Sequence, residues 1–124
     1  MSADHSATMV PRLVGGTSVI IGVTLLAAPA RVADSVFVNA AVPTGVVRLL
    51  GARYLAQGVA QLGWPRPGVL EGAAVVDGLH ALSMVALAAG RPRYRRAAWL
   101  SASFAAAGTA ANAVTAHRVR RTRR

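Results

Sequence analysis

Residues 46–63 read VVRLLGARYLAQGVAQLG, residues 64–68 WPRPG, and residues 69–90 VLEGAAVVDGLHALSMVALAAG. Both long runs are apolar and near the roughly 20 residues that a helix needs to cross a hydrocarbon core. The first nevertheless carries Arg48, Arg53, Gln57 and Gln61, and the second Glu71, Asp77 and His80. A bilayer penalises such groups unless they pair, face a bundle interior or reach the surface. The link between the runs is short and holds two prolines, which stop helices, so an antiparallel hairpin is expected.

That hairpin sets depths. Residues four apart share a helix face, which makes Arg53, Gln57 and Gln61 one polar stripe; Asp77, His80 and Ser83 follow on the next helix at spacings of three. Arg53 lies ten residues before Gly63 and Asp77 eight after Val69. At about 1.5 Å per residue the two sit within roughly 3 Å in depth. A lone charge at mid-membrane costs roughly 2.5–3.5 kcal/mol on an insertion scale, and pairing removes much of that. The expectation is an Arg53–Asp77 ion pair facing inward, with Arg48 toward the opposite end and Glu71 close enough to the link to reach the interface.

Outward from the hairpin, Leu13–Ala30 and Ala97–Ala116 are free of charge. The reading is all-α: four transmembrane helices over about residues 13–30, 46–63, 69–90 and 97–116. A polar segment 1–11 precedes them and a basic tail 117–124 follows. Residues 31–45, with Asp34, Asn39 and Pro43, read as a short interfacial or re-entrant connector. Ala28-Pro29-Ala30 also resembles a signal-peptide cleavage site, but Arg12 is offset by Asp4, and the chain left after cleavage would still be strongly apolar. The last run is almost entirely Ala, Gly, Ser and Thr, a composition for close helix packing; lying along the surface is its alternative.

An internal echo links the first two runs. Shifted by thirty-six positions, Arg12, Leu13, Gly15, Gly22, Val23, Leu26 and Pro29 match Arg48, Leu49, Gly51, Gly58, Val59, Leu62 and Pro65. Consecutive spans are antiparallel, so a duplication here would be an inverted repeat. Its physical content is a pair of glycines seven apart on one face of each helix, which permits close approach.

Composition agrees with a lipid-facing surface: 54% of residues are hydrophobic and only 15% charged, against about 25% in soluble domains. The net charge of +10 comes from arginines that flank the apolar runs. That is the pattern of a membrane topology signal rather than of nucleic-acid binding, so the partner is the bilayer and no nucleic acid. Arg12, Arg66 and the five tail arginines fall on one side, and Arg31 with the four arginines at 91–96 on the other. This favours a multi-pass cell-membrane protein with cytoplasmic termini, and the near balance leaves dual topology open.

The pattern Arg48-Leu49-Leu50-Gly51-Ala52-Arg53, followed by Gly58 and by Asp77 in the next helix, resembles a family of small, uncharacterised, four-helix bacterial integral membrane proteins of actinobacterial type. The resemblance implies the fold and the membrane, and no activity. No cysteine, nucleophile elbow or phosphate loop appears, one His within a span is too few for a two-His haem, and neither metal nor cofactor is expected. The leading function is a non-enzymatic scaffold or accessory subunit, as a homo-oligomer or in a larger membrane complex. The alternatives are a transporter or ligand-binding protein using Arg48, Arg53, Gln57, Asp77 and His80, and a quinone-linked redox subunit.

Overall fold

A computed structural model describes residues 2–36 and 42–122, with residues 2–8 and 122 described by backbone alone. Among these residues the chain is all-α: α1 (Ser2–Ala27), α2 (Pro29–Val36), α3 (Thr44–Gly63), α4 (Pro67–Gly90) and α5 (Arg95–Thr122). A single 3₁₀ turn, Pro92–Tyr94, links α4 to α5. At about 1.5 Å per residue the four long helices measure roughly 30 to 42 Å.

Several boundaries correct the sequence expectation. The segment 1–11, read as a polar stretch ahead of the first helix, is itself helical from Ser2, and Pro11 lies inside that helix. The first run ends at Ala27 rather than residue 30, because Pro29 opens a new helix, a position where its missing N–H loses nothing. The connector 31–45 therefore begins as helix α2; residues 37–41 lie outside the described residues. The tail expected at 117–124 continues α5 as far as Thr122. Arginine is a good helix former, and cations near a helix C-terminus complement its dipole.

The helices associate as two pairs, α1 with α3 and α4 with α5, and the contacts between pairs are sparser. Glycines decide the first pair. A Cβ on Gly22 would lie 2.5 Å from the Leu55 nitrogen and 2.8 Å from the Gly51 oxygen. A Cβ on Gly58 would lie 2.6 Å from the Gly15 oxygen. The two backbones touch, and no side chain fits between them. Gly15 meets Gly58 and Gly22 meets Gly51, so the residues of the thirty-six-position echo occupy reciprocal places on antiparallel helices. The second pair packs through small side chains: Ala73, Ala74 and Ala88 of α4, and Ala97, Ala98, Ala102 and Ala105 of α5, are all buried.

Two segments, Met9–Ala27 and Pro67–Gly90, are long and apolar enough to cross a membrane. Only 28% and 22% of their best windows are buried inside the molecule, unlike the core helices of a soluble protein. Many large apolar side chains face outward, while a few polar ones are buried. Gln61 and Asn112 are 0% and 1% exposed, whereas Leu49 and Ile20 are 74% and 69% exposed.

Candidate functional site

Helix α3 turns its polar stripe toward the α4–α5 pair. Arg53, Gln57 and Gln61 stand one turn apart, and each finds a different use. The Arg53 Nη2 donates to Asp77 Oδ1 at 2.7 Å, closing an ion pair between α3 and α4. The Gln57 Nε2 donates to Asp77 Oδ2 at 2.9 Å. Two turns on from Arg53, the Gln61 Nε2 donates to the Asn112 Oδ1 of α5 at 3.0 Å. The equal depth counted from the sequence is the reason Arg53 and Asp77 meet.

Asp77 is only 3% exposed, and a buried charged group is costly unless donors pair with it. Its position also depends on α5. A Cβ on Gly108 would lie 2.8 Å from Asp77 Oδ2, so the missing side chain there lets the carboxylate rest against the α5 backbone. Arg53 is fixed from another direction, its guanidinium carbon 5.0 Å from the Tyr54 ring centre. Tyr54 in turn meets Phe104 of α5 edge-to-face at 5.8 Å, a favourable aromatic geometry.

The cluster keeps unused hydrogen-bonding capacity. Arg53 Nε and Nη1, Gln57 Oε1, Gln61 Oε1 and Asn112 Nδ2 are buried and have no partner among the described residues. Beside Asp77 and Gln57 a cavity of about 260 Å³ opens among Leu13, Thr17, Tyr54 and Phe104. Arg53 and Gln57 also border a second groove of about 260 Å³ between α3 and α4.

Two of the five candidate residues do not join this constellation. His80, one turn from Asp77 on α4, lies beside α5, where its Nε2 is 2.9 Å from Ser101 Oγ. It lines a different cavity from Asp77. Arg48 is exposed, away from the cluster. Near the α3–α4 link Glu71 pairs with Arg120 at 2.7 Å across an exposed surface. Sequence reasoning missed Asn112 as the partner of Gln61; a lone amide in an Ala-rich helix was the signal available. It also missed Ser101 as the partner of His80. Among the described residues no group of three metal-ligating side chains converges.

Fold and site together define an all-helical protein with two membrane-length apolar helices, whose two helix pairs are joined by buried polar side chains. Comparison with protein-family models, with curated proteins and with solved structures finds no match.

Proposed function

We propose that this chain is a multi-pass integral membrane protein of the small four-helix bacterial type, in which α1, α3, α4 and α5 all span and α2 lies at the interface. In this reading it serves as a non-enzymatic scaffold or accessory subunit, as a homo-oligomer or within a larger membrane complex. The observation that carries the functional part is the state of Asp77. Both carboxylate oxygens are occupied by donors from α3, so the one buried acid among the described residues acts as a clasp between helix pairs.

The membrane part rests on the many exposed large apolar side chains, and on exposed Trp64 and Trp99 near opposite ends of the bundle, where amphipathic rings favour the lipid–water boundary. Arg48 and the arginines of the links are exposed near helix ends, from which long basic side chains reach the headgroups. α3 and α5 are less apolar than α1 and α4. α3 turns Arg53, Gln57 and Gln61 toward the other pair, and α5 buries Asn112 and Thr115, which reduces what lipid would meet.

A second reading, ligand binding at the same cluster, is favoured by one observation: the cavity beside Asp77 and Gln57, next to polar atoms with spare capacity. A quinone held jointly by Arg53, Asp77 and His80 has less support, because Asp77 and His80 line separate cavities.

Alkaline carbonate extraction of native membranes tests the location; release into the supernatant would end the membrane reading. Purification in a gentle detergent at natural expression, with mass spectrometry of everything retained, tests the role. A protein partner in fixed ratio, or a stable homo-oligomer, is expected. A monomer holding a small molecule that Gln57→Leu releases would replace the scaffold reading with the ligand-binding one.

A further inference from the structure

The clasp closes one half of the bundle only. Arg53, Gln57 and Gln61 bind α3 to the other pair from the middle of the helix toward its C-terminal end. Over the described residues of α3 before Arg53, no side chain hydrogen-bonds to α4 or α5. Two grooves flank that half beside the apolar core of Leu25, Ala33, Val47 and Tyr54. One, about 310 Å³, runs among Val46, Leu50, His80, Met84, Leu87 and Tyr94. The other, about 360 Å³, lies toward α1 and α2 among Ile21, Leu25, Val32 and Phe104. Leu50, Ala97 and Ser101 border both, so the two adjoin.

A hollow of this size in an apolar lining, with few polar groups, has the features of small-molecule sites, which begin near about 300 Å³. Besides Tyr94, two polar groups of the lining sit together. His80 Nε2 and Ser101 Oγ are 2.9 Å apart, one donating and the other accepting according to the imidazole tautomer. The second ring nitrogen of His80 has no partner among the described residues. A half-buried imidazole with a free nitrogen beside an apolar hollow offers one hydrogen bond to an otherwise apolar guest.

We propose that this hollow binds a lipid-phase molecule with an apolar ring or chain and one hydroxyl or carbonyl oxygen. The oxygen meets the His80–Ser101 pair, and the body lies along Val46, Leu50, Met84 and Leu87. The site is distinct from the Asp77 clasp and is compatible with a scaffold. His80 is a binding residue here, with no proton transfer and no redox step.

The test uses the full chain in detergent micelles and three radiolabelled probes: nonylphenol, a nonyl-substituted benzoquinone, and nonylbenzene as the control without oxygen. Saturable binding of one oxygenated probe per chain is expected, at least about tenfold tighter than nonylbenzene, the value of roughly one hydrogen bond. Preference for the phenol assigns the guest oxygen as donor, and preference for the quinone assigns it as acceptor. His80→Leu should reduce the oxygenated probes to the level of nonylbenzene. Ala97→Leu, which adds bulk to the shared wall, should abolish saturable binding of all three; Met84→Trp serves the same purpose should that variant not fold. Equal binding of the three probes, no saturable binding, or binding unchanged in the wall variants would each overturn the proposal.

Discussion

Replacing Asp77 by alanine removes one partner of a buried ion pair and leaves the other in place. The magnitude follows from the geometry. Arg53 and Asp77 are joined at 2.7 Å, and their side chains are 22% and 4% exposed. With charge centres about 4 Å apart and an effective dielectric near 20, their attraction is about 4 kcal/mol. The Gln57 bond to the same carboxylate contributes about 1 kcal/mol more, while partial exposure of Arg53 lets it relax toward the surface. Asp77→Ala should therefore cost about 3–5 kcal/mol, the range found when one member of a buried pair is removed. The double change Arg53→Leu with Asp77→Leu removes both charges and should lie within about 1–2 kcal/mol of the parent, since apolar replacement of a whole buried pair is often neutral. Unfolding by denaturing detergent in mixed micelles, followed by far-UV circular dichroism, gives both numbers. The reasoning fails if Asp77→Ala is within about 1 kcal/mol of the parent, or if the double variant is as unstable as the two single losses added together.

Four further single substitutions have expected outcomes in the same measurement. Gly58→Ala places a Cβ 2.6 Å from the Gly15 oxygen and should destabilise by about 1–3 kcal/mol. Gly16→Ala, whose Cβ meets nothing within 4 Å, should be neutral or stabilising by up to about 1 kcal/mol; equal effects at the two sites would show that α1 and α3 do not touch through glycine. Gln61→Ala strands the fully buried Asn112 and should cost about 1–3 kcal/mol, whereas Gln61→Leu with Asn112→Leu should recover most of it. Glu71→Ala breaks an exposed bridge to Arg120 and should cost under about 1 kcal/mol, less still at high salt.

The residues differ in how far ahead of the structure they could be read. The Arg53–Asp77 pair was legible because a short Pro-bounded link fixes the antiparallel register, and helical rise converts residue counts into depth. The glycine contacts were legible as a pattern: glycines seven apart share a face, although which helix they face needs the fold. Gln61–Asn112 was not legible, because a long sequence separation gives no register between α3 and α5. Pro29 was placed inside the first run, yet it opens a second helix, since its missing N–H is as well tolerated in the first turn as it is disruptive farther in. The helical tail was misread because a run of arginines looks solvated, which is compatible with helix when the cations lie at the C-terminal end.

By itself the sequence determined the helical class, the antiparallel course of α3 and α4, the depth match of Arg53 with Asp77, and the glycine faces. Each follows from spacing along one helix or across one short link. The tertiary structure alone decided that α1 pairs with α3 and α4 with α5, and that His80 turns from Asp77 toward Ser101. It alone left Arg48 outside the cluster and opened the grooves beside His80 and Leu50. Those outcomes depend on how whole helices are rotated and tilted against one another. Rotation is set by the summed packing of many small side chains, and no local spacing encodes that sum.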